Sequence, residues 1–132
     1  MLRQLRQAKD LADRHYADPL DLAELAAAAH VSKHHFVRAF AATYGETPMR
    51  YLTRRRVERA QDLLRSANLT VTEVCMLVGF SSLGSFSSRF RELVGESPTR
   101  TVYVSKVSDT AEAGLELLDT YEGPSAQSYT FG

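Results

Sequence analysis

The chain is short of several things at once. It has one cysteine in 132 residues, which excludes an internal disulfide framework and fits a reducing compartment such as the cytosol. It has no run of eighteen apolar residues, so no segment is built to cross a membrane as a helix. Its opening Leu2-Arg3-Gln4-Leu5-Arg6-Gln7 is charged and periodic, unlike a secretory leader. It also lacks any excess of charge. Sixteen basic and sixteen acidic residues leave a formal net charge of zero, which at face value argues against a polyanionic partner.

That last absence dissolves when the chain is divided. Residues 1–102 hold 2 Lys and 13 Arg against 11 acidic residues, a net +4, while residues 103–132 hold one Lys against 5 acidic residues, a net −4. The basic part is therefore modestly basic and almost entirely arginine, the side chain suited to bidentate contacts with phosphate and guanine.

What the chain does contain is one pattern written twice. Leu22, Leu25, Ala26 and Ala29, followed by Val31 and Ser32, recur forty-nine residues later as Val71, Val74, Cys75 and Val78, followed by Phe80 and Ser81. Phe36/Phe86, Phe40/Phe90, Gly45/Gly95, Glu46/Glu96, Thr47/Ser97, Pro48/Pro98 and Arg50/Arg100 then repeat at an offset of fifty. One extra residue in the second turn accounts for the change of offset. Two helix-turn-helix units on so short a chain predict a protein that meets one face of a duplex in two successive grooves.

The spacing predicts an all-α fold of about seven helices, with two homeodomain-like helix-turn-helix subdomains joined by a long central helix. A first helix is expected over residues 2–16, with Leu5, Ala8, Leu11, Ala12 and Tyr16 inward. Asp18-Pro19 breaks it. Asp21 and Glu24 form a capping box for the second helix. Ser32 caps a third helix, which Gly45 stops. Thr47-Pro48 opens the long fourth helix, to about Ser66, with Met49, Thr53, Val57, Ala60, Leu63 and Leu64 along one stripe. Thr70 and Glu73 cap a fifth, and a sixth follows Gly79-Phe80-Ser81 and ends at Gly95. Ser97-Pro98 is expected to begin only a short turn, Thr101–Val107 alternates apolar and polar residues, Ser108–Tyr121 reads as a weak helix, and Gly123–Gly132 as a flexible terminus. The expected organisation is subdomain one at 1–46, a linker helix at 47–66, subdomain two at 67–102, and an acidic extension of unassigned role at 103–132.

On the third helix, Phe36 and Phe40 must face the core, so Lys33, His34, Val37 and Arg38 face outward. Arg38 can donate two hydrogen bonds to guanine O6 and N7, His34 can reach a base edge or phosphate, and Val37 can touch a thymine methyl. On the sixth helix the equivalent positions are Leu83, Gly84, Ser87 and Ser88, with Ser85 beside them and none cationic. Leu83 suits a thymine methyl and Gly84 permits close approach. Arg89 and Arg91 flank that face and reach phosphate, and Arg50, Arg54, Arg55, Arg56 and Arg59 cluster on the first half of the fourth helix, where some reach phosphate, while Arg55 and Arg59 equally suit pairing with Glu58 and Asp62. About nineteen residues at ~1.5 Å each make the fourth helix roughly 28 Å long, near the ~34 Å of one DNA turn.

The segment Phe80-Ser81-Ser82-Leu83-Gly84-Ser85-Phe86-Ser87-Ser88-Arg89-Phe90-Arg91-Glu92-Leu93-Val94-Gly95-Glu96-Ser97-Pro98 is preceded by Arg56-Val57-x-x-Ala60-x-x-Leu63-Leu64 and Val74-Cys75-x-x-Val78-Gly79. Together they resemble the signature of AraC/XylS-type transcriptional regulators, and Ala26–Val31, Ser32, Phe36, Phe40, Gly45 and Thr47-Pro48 are similar to that family's first helix-turn-helix. The resemblance covers about residues 5–102. It implies a seven-helix unit that binds double-stranded promoter DNA as a monomer in the cytoplasm, on the nucleoid, with activation through RNA polymerase frequent in the family. It points to His34, Val37 and Arg38 in the first reading helix and Leu83, Gly84, Ser85, Ser87 and Ser88 in the second. Ser88 stands where the family often has Arg, Cys75 where Ala is common, and Thr101-Val102 where Tyr-Arg often closes the domain. The short flanks resemble those of stand-alone members without an effector domain.

Other classes fit less well. Cys75 falls on the buried stripe of the fifth helix without the context of a nucleophile, so no enzyme is expected. His30, His34 and His35 diverge and gain no carboxylate or thiol partner, so no metal or cofactor is expected. A recombinase or transposase DNA-binding arm would use a flexible linker rather than a long rigid helix, and a helical protein-interaction module would bind no DNA.

Overall fold

The computed structural model describes residues 1–120, with side chains through residue 111. Seven helices and no strand occur among the described residues: α1 Leu2–Arg14, α2 Leu22–Ala28, α3 Lys33–Tyr44, α4 Pro48–Ser66, α5 Val71–Leu77, α6 Leu83–Val94 and α7 Pro98–Thr120. None of them is long and apolar enough to cross a membrane.

Local chemistry sets nearly every boundary. The side chains of Asp21, Ser32, Thr47, Thr70 and Ser82 each accept a hydrogen bond from the backbone N–H three residues on, satisfying donors that a helix start leaves orphaned. Gly45 and Gly95 end α3 and α6 in the left-handed conformation at φ 80° and 94°, where a residue without Cβ carries no steric cost. The two α–α turns use the same conformation with different residues: His30 at φ 59° in the first, Gly79 at φ 98° in the second.

Two cores result. The first gathers Leu5, Ala8, Ala12, Leu25, Ala26, Ala29, Phe36, Phe40, Tyr51 and Leu52. The second gathers Val57, Ala60, Leu64, Val74, Cys75, Val78, Phe80, Phe86 and Phe90. Helix α4 thus serves one core with its first half and the other with its second, changing between Leu52 and Val57. The expected stripe is corrected at its start, since Tyr51 and Leu52 are buried while Met49 and Thr53 are only partly covered. Tyr51 holds its place with a hydroxyl that donates to Asp13 and a ring edge-on to Phe40 at 5.8 Å.

The chain after Ser97 departs most from expectation. In place of a short turn and an alternating segment, α7 is one helix through Thr120. Ser97 accepts from the Arg100 N–H and Pro98 sits at the first helical position, pre-set for it. Thr101 is 3% exposed and donates to Glu96. Val102 packs on the second core, and the Ser105 hydroxyl donates to the Arg65 carbonyl of α4. The helix therefore crosses position 103 unbroken. The terminus at Gly123–Gly132 lies outside the described residues.

Candidate nucleic-acid interface

With Phe36, Phe40, Phe86 and Phe90 at most 1% exposed, the opposite faces of α3 and α6 are left to solvent. Lys33, His34 and Arg38 are exposed on α3, with Val37 partly so. Leu83, Gly84, Ser85 and Ser88 are exposed on α6, with Ser87 partly so. Leu83 keeps 46% of its surface in water, an uncompensated apolar exposure beside small hydroxyls. Gly84 has only the Ser82 Oγ near a notional Cβ, at 3.8 Å, so the fold itself does not require glycine there.

The two units are held against each other directly as well as through α4. Gly79, in the turn of the second unit, lies on the backbone that follows α1: a Cβ there would stand 2.9 Å from the Tyr16 carbonyl oxygen and 3.0 Å from Ala17. Beside it the half-buried Arg56 guanidinium donates to the carbonyls of Tyr16 at 2.6 Å and Asp18 at 2.8 Å. Burial pushes its pKa below the ordinary arginine value, although such a group stays charged at any working pH. The Tyr16 ring packs on both cores. None of this clasp was legible in the sequence, because its acceptors are backbone carbonyls forty residues away.

Between the first half of α4 and α6 runs a groove of about 300 Å³ lined by Thr47, Met49, Arg50, Thr53, Arg89, Glu92 and Leu93. A second groove of about 300 Å³ adjoins it, sharing Thr53 and Arg89 and adding Arg56, Ser81, Ser82 and Ser85. This saddle of hydroxyls and guanidiniums joins the flank of one unit to α6 of the other, and of its lining the sequence pointed to Arg50, Arg56, Arg89 and Ser85.

Arg54 is already engaged within the protein. Its guanidinium donates to Glu46 at 2.7 and 3.0 Å and to Glu58, and lies over the Tyr51 ring at 5.2 Å from the centroid. The hydrogen bond it donates to Glu46 is the largest cause of a pKa raised above the ordinary value. A guanidinium engaged by two carboxylates and a ring braces the first core, and a phosphate would compete with these partners for it. Arg55 is similarly committed to Asp13 and Glu58.

Cys75 is 1% exposed, with its Sγ 4.0 Å from the Phe80 carbonyl oxygen. Burial raises its pKa, disfavouring the thiolate form. Among the described residues no group of three His, Cys, Asp or Glu side chains could hold a metal.

Comparison with known proteins converges on one family. The family model described as "Helix-turn-helix domain" matches residues 25–102. The probable transcriptional regulator LumQ of Photobacterium leiognathi is 36% identical over 88 residues, covering 67% of this chain and 36% of LumQ. Among solved structures, the DNA-binding domain of AdpA, a global transcriptional factor crystallised with a target DNA, superposes with a TM-score of 0.75 at 31% identity, covering 79% of this chain and 94% of that one. A probable AraC family transcriptional regulator from Rhodopseudomonas palustris gives 0.71 at 28%, covering 78% and 97%. The chain spans about a third or less of the length of curated relatives such as LumQ and GbdR of Pseudomonas aeruginosa.

Proposed function

The chain belongs to the AraC-type helix-turn-helix family, and from that membership we propose that it regulates transcription by reading two adjacent major-groove segments of promoter DNA with α3 and α6. The observation that carries the reading is the pairing of exposed α3 and α6 faces with deeply buried phenylalanines behind them, on units clasped into a fixed relation. The DNA-binding unit is assigned to residues 1–102, with subdomains at 1–46 and 67–102 around the linker at 47–66.

Roles divide by chemistry. Arg38 makes bidentate contact with guanine, His34 a base edge or phosphate, Val37 a thymine methyl, and Lys33 the backbone. Leu83, Gly84, Ser85, Ser87 and Ser88 give the second segment apolar contact and close approach rather than charged readout. Arg50, Arg54 and Arg89 take phosphates. The protein acts in the cytoplasm as a monomer on DNA and without enzymatic activity. RNA polymerase is its partner at the promoter.

Selection of bound sequences from a random duplex pool tests this. Two conserved blocks about one helical turn apart are expected, with affinity falling steeply as salt rises. A pool that does not converge, or binding indifferent to salt, would sink the reading. Arg38→Ala is expected to weaken binding to the selected site by about 1–3 kcal/mol and to relax preference at one block only. Gly84→Ala separates fold from contact. Helix propensity predicts unchanged or slightly higher stability, up to ~1 kcal/mol, so a severalfold loss of affinity reports the closeness of the duplex. Undiminished binding would place α6 too far away for that.

A further inference from the structure

The saddle contains a carboxylate where a phosphate-binding surface should avoid one. Glu92 lies one turn beyond Arg89 on α6 and accepts from its guanidinium at 3.0 Å. From the start of α4, Arg50 reaches the other Glu92 oxygen at 3.5 Å. All three side chains remain about half exposed, at 54% for Arg50, 57% for Arg89 and 47% for Glu92. Arg89, and secondly Arg50, hold the Glu92 carboxyl below the ordinary carboxylate range, so it is anionic at any working pH. Exposed pairs of this kind contribute little to stability, and Glu92 belongs to neither core. Its position therefore calls for an account other than folding.

We infer that Glu92 is a specificity-determining residue: its carboxylate competes with the DNA backbone for Arg50 and Arg89, weakening binding to arbitrary duplex more than binding to the correct site. The inference rests on the DNA-binding reading. Binding exchanges a carboxylate oxygen for a phosphate oxygen on each guanidinium and leaves the Glu92 charge beside the phosphate. Arbitrary duplex is held almost wholly through phosphates, so it bears this penalty with nothing to offset it. At the correct site, base contacts from α3 fix the duplex in one register, in which phosphates meet the guanidinium edges turned away from Glu92, so the penalty itself is smaller there and the two affinities separate.

Glu92→Gln keeps the size and an acceptor but removes the charge. Affinity for a random-sequence duplex should rise about five- to tenfold near 0.1 M salt, and the log–log salt slope should steepen by about 0.9, as for one more neutralised phosphate. The ratio of selected-site to random-duplex affinity should fall while the melting temperature stays put. Adding Arg50→Ala and Arg89→Ala should abolish the gain. Unchanged random-duplex affinity and slope in a well-folded Glu92→Gln, or a gain that survives loss of both arginines, would overturn the inference. Failure of the underlying reading looks different: the unaltered chain would then show no salt-dependent duplex binding at all.

Discussion

Gly79→Ala is expected to destabilise the protein by about 3 kcal/mol, the sum of a left-handed backbone without glycine and a core clash. The added methyl would meet the Tyr16 carbonyl oxygen at 2.9 Å and Ala17 at 3.0 Å. These are backbone atoms, which cannot rotate aside as a side-chain tip would. Gly45→Ala is the control. Its φ of +80° is equally unfavourable, but a Cβ there has no atom within 4 Å, so only the conformational cost of about 1–2 kcal/mol applies. Denaturant unfolding of both variants measures the difference. Equal losses would mean that the close approach of the second turn to the segment after α1 adds no clash. Because that contact also orients the units, Gly79→Ala should bind full two-block DNA more weakly even where it remains folded.

Phe86→Ala should cost about 3–5 kcal/mol, the range for emptying a buried phenylalanine site. Phe86 is fully buried, with Phe80 at 5.2 Å and Phe90 at 5.7 Å between ring centroids. A loss of that size is a large share of the 5–15 kcal/mol that typically separates folded from unfolded domains. It should fall unevenly. The first core has its own aromatic set in Phe36, Phe40, Tyr44 and Tyr51 and meets the second mainly through α4 and the Tyr16 ring. Amide hydrogen exchange should accelerate most in α5, α6 and the start of α7, and least in α1 to α3. Uniform acceleration would show that the two cores unfold as one.

The parts of this structure that were legible in the sequence are those governed by neighbours a few residues apart. Ser32, Thr47-Pro48, Thr70 and Gly45 announce their helix ends because a cap is a local bond. Phe36 and Phe40 declare α3's buried face, and hence its exposed one, by spacing alone. Thr101–Val107 misled because its alternation is compatible with a strand, whereas burial of Thr101 and Val102 against the preceding helices selects helix. The partners of Arg54 were half legible for a related reason: Glu58 is a visible i,i+4 partner, but Glu46, eight residues back, is reached only because Gly45 turns the chain. Glu92 was half legible in the same way: Arg89, three residues back, is a visible partner, but Arg50 reaches it from another helix.

The dual service of α4 has a consequence for how such a chain can change over generations. Each residue added between Leu52 and Val57 would swing one unit about the rod by roughly 100° and slide it ~1.5 Å. The azimuth would be nearly restored only after some seven insertions, two full turns, and by then the gauge length would have grown by about 10 Å. A substitution along this segment costs the contacts of one side chain, but its residue count is tied to the pitch of the duplex. Lineages of this chain should therefore vary at their loops and ends while the length between the two cores stays constant.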